Sequence, residues 1–215
     1  DEFISVVSHE LRTPLTSIKG GLEFTLSGAL GALPEKVVNL LTISHNNAIR
    51  LGSLINDILD ISKISQGKVE FHFEKLSLAE VIEETINQSA AYAKNLNVTL
   101  KIKNPINKDI FINSDKNRLI QVLTNLISNA AKFSYENGDV DVYVEEKEDF
   151  AIVNVQDYGV GIPEDCKEKI FQKFFQVDSS ATRAQGGTGL GLNITQMLVE
   201  RMNGKISFIS EKGKG

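Results

Sequence analysis

The chain has 215 residues, 41% of them hydrophobic and 24% charged, which is enough to bury a core and too apolar for a disordered tail. Its formal net charge of -5 at pH 7 argues against a nucleic-acid or anionic-membrane binder, and no apolar run approaches the roughly 18 residues of a membrane span. The single cysteine, Cys166, excludes an intrachain disulfide and a multi-cysteine zinc site. With neither an initiating Met nor a signal peptide, the sequence reads as a cytoplasmic piece of a longer protein, cut at both ends from ordered structure.

In chain order, the first 64 residues have helical periodicity. Leu11, Leu15, Ile18, Leu22 and Leu26 mark one helix. A glycine-punctuated turn, Ser27 to Leu33, leads to Pro34, placed to open a second helix. There, Val37, Leu41, Ser44, Ala48, Leu51, Ile55 and Ile58 step by alternating fours and threes, a heptad seam that Leu40, Leu54 and Ile61 widen. A hairpin cannot cover so broad a stripe, so two copies are expected to pair into a four-helix bundle. After Ser65-Gln66-Gly67-Lys68 the pattern becomes mixed. Val69 to Glu74 alternates as a strand. Residues 77–94 read as a helix with Ser77 as N-cap and Glu80 in capping-box position. Strands are expected near 98–103 and 109–113, a helix over 115–133, and an antiparallel pair at 139–146 and 150–156. A glycine-rich segment then leads to a helix near 189–203 and a strand near 205–210. The fold class is therefore two domains: an all-α helical hairpin over 1–66, then an α/β sandwich over 67–215 with a mixed, largely antiparallel sheet.

Four segments carry chemistry. In Ser8-His9-Glu10-Leu11-Arg12-Thr13-Pro14, helical spacing puts Ser5, His9, Thr13 and Thr16 on the face opposite Val7, Leu11, Leu15 and Ile18. A lone exposed histidine is usually plain surface, but Glu10 offers an acceptor for its ring and Thr13 a hydroxyl one turn away. Pro14 tends to kink the helix near His9. Next, Asn125, Asn129 and Lys132 form a polar line on an apolar helix: two neutral oxygens and a cation, which suit a metal-bridged polyphosphate as well as they suit a hydrogen-bonded pair. Asp157-Tyr158-Gly159-Val160-Gly161 follows a strand, and Gly186-Gly187-Thr188-Gly189-Leu190-Gly191 opens a helix whose amides attract phosphate. Asp157 has the chemistry to accept from an exocyclic amine such as adenine's. No Lys-Ser/Thr follows the glycines, so this is not a P-loop.

Taken in this order, the segments resemble the catalytic core of sensor histidine kinases of two-component signalling. Ser8 to Leu15 resembles the H box, Asp115 through Arg118 to Phe133 the N box, and Asp157 to Gly161 the G1 box. Phe171 to Gln176 resembles the F box and Gly186 to Leu192 the G2 box. The resemblance implies a dimerisation and phosphoacceptor domain followed by an ATP-binding domain of the kind shared with chaperone and topoisomerase ATPases. It implies that His9 is the phosphoacceptor, with Glu10 its hydrogen-bonding partner, and that Asn129 is the Mg2+ ligand with Asn125 assisting. Lys132 and Arg183 would contact phosphate and Asp157 adenine, with Phe133 keeping a stacking face where Tyr is usual. Gly159, Gly161, Gly187, Thr188, Gly189, Leu190 and Gly191 would line the ATP pocket, and 163–188 would be its mobile lid. Tyr158 replaces a small Thr or Asn, giving adenine a bulkier neighbour. The chain ends at Gly215, before the family's last strand.

The expected activity is ATP-dependent autophosphorylation of His9 and relay to an aspartate of a response regulator. The pattern Glu10-Leu11-Arg12-Thr13 implies regulator phosphatase activity through Thr13. The expected partners are a second copy, bound through the hairpin, and a receiver domain. No nucleic acid is expected, and membrane contact only through a region upstream. Related ATPases carry a glutamate at the position of Asn125 as base for water, and Asn cannot deprotonate water. Transfer is thus favoured over hydrolysis, and a nucleotide-sensing scaffold is the non-enzymatic alternative.

Overall fold

The structure, a computed structural model, describes residues 2–107, 109–177 and 187–215, apart from the side chains of residues 2–5 and His9. It divides into two compact units, Asp1–Val69 and Glu70–Gly215.

The first unit is a helical hairpin of α1 (Glu2–Leu26) and α2 (Glu35–Ser65). α1 continues through Pro14 and stops where Gly28 and Gly31 take φ +81 and +97, a backbone that side chains other than glycine's disfavour. Pro34 then supplies the carbonyl that receives the amides of Val37 and Val38. Along α2, Ala48, Ile55 and Leu59 are buried. Gly52 lets Leu15 of α1 approach, since a Cβ there would meet Leu15 Cδ2 at 3.4 Å. The expected heptad seam is therefore split. Its members Leu41, Ala48 and Ile55 turn inward, whereas Val37, Ser44, Leu51 and Ile58 remain exposed, as do Leu40, Leu11 and Ile18. One partner helix covers one stripe, and the width of the apolar band leaves a second.

The second unit contains β1 (Glu74–Ser77), α3 (Leu78–Asn95), β2 (Thr99–Ile102), β3 (Phe111–Ser114), α4 (Lys116–Phe133), β4 (Asp139–Glu146), β5 (Ala151–Asp157) and α5 (Gly191–Arg201). A 3-10 turn lies at Glu164–Lys169. β4 is central in a three-stranded sheet, parallel to β2 and antiparallel to β5, while β1 and β3 form an antiparallel ribbon. Alternation along β4 sends Val140 and Val142 inward, both fully buried. Beneath them pack Leu78, Val81 and Ile82 of α3 and Leu123 and Ile127 of α4, together with Leu76 and Ile110. A second cluster of Ala93, Val98, Ala130, Ala131 and Val140 closes the other end, where small residues let α3 and α4 lie close to the sheet.

Two expected strands are corrected. The first strand starts at Glu74, not Val69, because the backbone before it is held elsewhere. His72 N donates to Asp115 Oδ2 at 2.8 Å, and Phe71 and Phe73 pair ring to ring at 6.0 Å. Residues 205–210 are extended, but no backbone ladder joins them to another described strand; without a partner an alternating sequence has nothing to pleat against. The caps match the sequence. Ser77 Oγ accepts from Glu80 N and Asp115 Oδ1 from Arg118 N at 3.0 Å. Burial raises the Asp115 carboxyl, but the Arg118 and His72 amides outweigh that and hold it below its ordinary value.

Candidate functional site

The polar line on α4 is present, and its members differ. Asn125 is engaged by protein: its Nδ2 donates to Thr195 Oγ1 of α5 at 2.7 Å. Asn129, one turn on, is half-buried and makes no side-chain hydrogen bond among the described residues, so its carboxamide oxygen is available to a ligand. Lys132 places Nζ 4.8 Å from the Phe133 ring centroid and 3.0 Å from where a Cβ at Gly187 would stand. A cation therefore lies beside the glycine segment that runs into α5. Helix geometry and the apolar face that α4 buries (Val122, Leu123, Ile127, Ala130 and Ala131) leave this line as the helix's polar side.

β5 ends at Asp157, whose Oδ1 accepts from Gly159 N at 2.9 Å. Burial pushes its carboxyl above its ordinary value, opposed by the Gly159 amide. Asp157 pairs in register with Val140, so it shares the helix-facing side of the sheet. Tyr158 projects to the other side, where its hydroxyl donates to Asp141 Oδ2 at 2.7 Å. The expected bulkier neighbour of adenine is thus corrected: strand alternation carries the ring away from the Asp157 side.

The glycines admit protein more than open space. A side chain at Gly159 would strike the Phe133 carbonyl, and one at Gly161 (φ +62) the Glu211 carbonyl. Gly189 (φ +70) lies against Phe174, and Gly191 against Asn125; Gly187 alone of the five faces the Lys132 ammonium. Thr188 Oγ1 accepts from Leu190 N at 3.2 Å. Leu190 is fully buried, so only its backbone could face a ligand. Phe174 N donates to Gly189 O at 2.8 Å, and Gln176 Nε2 to Gly187 O at 3.0 Å. These bonds tie residues 171–176 to the loop before α5. Phe174 holds φ +63, a strained backbone for an aromatic residue, fixed by these contacts. Arg183 and the middle of the expected lid, 178–186, lie outside the described residues.

In the hairpin, His9, Glu10 and Thr13 lie on α1, the His9 side chain being outside the described atoms. Glu10 and Thr13 are exposed. A groove of about 460 Å³ between α1 and α2 includes Arg12, Thr16, Lys19, Gly52 and Asn56 in its lining, and Arg12 Nη2 donates to Asn56 Oδ1 at 3.1 Å.

Sequence reading missed three residues. Thr195 looks like an ordinary core position, and Asp141 like an ordinary outward strand residue. Asn193, whose Nδ2 donates to Phe171 O at 2.9 Å, follows the glycines at a place where any polar side chain would read as surface. Each acts through a partner distant in sequence, which no local pattern signals.

Chemically, the arrangement fits a nucleotide carrying a hard cation. It offers a buried-side carboxylate acceptor, a carboxamide oxygen without a protein partner among the described residues, and an ammonium beside the glycine segment that leads into a helix N-terminus. Comparison with known proteins points the same way. Residues 1–67 match the family described as His Kinase A (phospho-acceptor) domain, and residues 114–215 that of Histidine kinase-, DNA gyrase B-, and HSP90-like ATPase. The circadian input-output histidine kinase CikA of Synechococcus elongatus is 41% identical over 100% of the chain, which spans 28% of that protein. The chain spans about a quarter of the length of the curated relatives it matches. Among solved structures, full-length ShkA in complex with AMPPNP aligns at TM-score 0.77 and 26% identity, over 99% of this chain and 43% of that one. Histidine kinase ThkA in complex with response regulator protein TrrA aligns at TM-score 0.60 and 30% identity, over 95% and 55%.

Proposed function

The chain belongs to the sensor histidine kinases, and from that premise we propose that it transfers the γ-phosphoryl group of ATP to His9 and relays it to an aspartate of a response regulator. The observation that carries this reading is the α4 pair Asn129 and Lys132. One offers an oxygen with no protein partner among the described residues, the other a cation set against Gly187 at the approach to α5. Phosphoryl transfer needs alignment and charge neutralisation more than covalent help, and these groups supply the second. Asp157 would accept the adenine amine, and Lys132 with the first amides of α5 would hold phosphate oxygens. Mg2+, when bound through Asn129, would offset the charge on the phosphate oxygens. On the hairpin, the His9 imidazole would attack in line and Glu10 would take a hydrogen bond from its other ring nitrogen, stabilising the charge that develops. Residues 64–68 would be the hinge between the hairpin domain (1–66) and the ATP-binding domain (67–215).

Transfer is favoured over hydrolysis because position 125 is an asparagine, which is not a base for water, and its Nδ2 donates to Thr195. The exposed apolar stripe of Val37, Leu51 and Ile58 on α2, with Leu11 and Ile18 on α1, supports a homodimer through the hairpin. The ThkA–TrrA complex supports a receiver domain as partner. Incubation with γ-labelled ATP and magnesium tests the reading. Label retained on the protein supports transfer, label released as phosphate indicates hydrolysis, and bound nucleotide with neither indicates a scaffold.

A further inference from the structure

The carboxamide of Asn125 meets α5 at both ends. Its Nδ2 donates to the hydroxyl of Thr195 at 2.7 Å, a residue only 1% exposed. Its Oδ1 lies so close to Gly191 that a Cβ there would stand 2.6 Å away. Gly191 is the first residue of α5, and Thr195 follows one turn later. Along α4, Asn129 lies one turn beyond Asn125, with Lys132 beyond that. A single side chain thus bridges the two helices, one turn away from the surfaces that would face phosphate on each.

We propose that Thr195 is a positioning residue for the reaction: by fixing the Asn125 carboxamide, it sets the spacing between Asn129 and Lys132 on α4 and the amide-bearing end of α5. This rests on the reading that the site binds magnesium-bound ATP. The physical reason is the cost of a buried unpaired amide. If the hydroxyl is removed while the shape is kept, Asn125 Nδ2 faces a methyl group. The carboxamide then turns to find another partner, and because Gly191 leaves no slack around Oδ1, α5 shifts with it. The same contact explains the glycine at 191. Its missing side chain makes room for Asn125, not for a ligand. The hydroxyl accepts from Asn125 Nδ2, which valine or alanine cannot do and cysteine does only weakly.

The test is a double-mutant cycle on the full chain, with Thr195→Val, Asn125→Ala and the pair. The readouts are the Kd for ATP in the presence of magnesium and the affinity for adenosine, which has no phosphate. Thr195→Val is expected to weaken magnesium-ATP binding about tenfold, the scale of one buried donor left unpaired, and to leave adenosine binding unchanged. In the Asn125→Ala background it should have no further effect, and Thr195→Ser, which keeps the hydroxyl, should bind within about twofold of the parent. Three results would overturn the proposal: parental affinity in Thr195→Val, full additivity with Asn125→Ala, or a loss in Thr195→Ser as large as in Thr195→Val. A parent chain that binds no magnesium-ATP would instead defeat the nucleotide reading beneath it.

Discussion

Asp157 ends β5 with a carboxyl that burial has raised, so its charge opposes folding while a ligand amine would reward it. The sign follows from linkage. A folded pKa above the unfolded one favours the fold at low pH, and that contribution is lost as pH rises through the raised value. Asp157→Asn retains an Oδ1 for the Gly159 amide and has no proton to lose. Its apo thermal midpoint, relative to the parent, should therefore rise from acid toward neutral pH and then level. ATP affinity should fall about tenfold to a hundredfold, since an amide can turn a donor toward adenine's amine. Calorimetry across pH together with nucleotide titration checks both, and an unchanged Kd would mean that adenine is held elsewhere. At this scale the polar line on α4 and Asp157 were legible, because helix period and strand ends are local. The expectation that Tyr158 gives adenine a bulkier neighbour fails because only the Asp157–Val140 pairing decides which way the next residue points.

Among elements, helices α3, α4 and α5 and strands β4 and β5 could be read from pattern and caps. The displaced β1 and the unpaired 205–210 could not, because a strand exists through a partner that alternation does not name. α2 is the informative case. Its seam was visible as one broad stripe, but only the packing of Leu15 on Gly52 separates the half that faces α1 from the half left for a second copy. Leu51 belongs to the outer half and is 49% exposed, so Leu51→Glu should leave hairpin helicity intact while placing two carboxylates in a symmetric apolar interface. Sedimentation should show the parent as a dimer and the variant as a monomer at the same concentration. A variant that stays dimeric with undiminished affinity would place the interface on another face.

For the whole molecule, nucleotide chemistry would belong to one unit and the phosphoacceptor to the other. Thr13 is exposed on α1 one turn beyond His9, where its hydroxyl would orient water toward an aspartyl phosphate on a docked receiver domain. Thr13→Ala, compared at equal dimer content, should keep autophosphorylation and relay but lose dephosphorylation of a phosphorylated regulator. Equal dephosphorylation would make the protein a kinase alone. The ordering of motifs made the two-part organisation visible in sequence; the links made by Thr195 and Asp115 were not, since each joins segments far apart in the chain. The central claim is that ATP phosphorylates His9, and the most direct measurement is mass mapping of the intact chain after incubation with ATP and magnesium. One phosphoryl group per chain is expected on His9, lost in acid and retained in base as a P–N bond requires, and absent from His9→Ala although that variant still binds ATP. An acid-stable phosphoserine, or a His9→Ala chain labelled as fully as the parent, would contradict it.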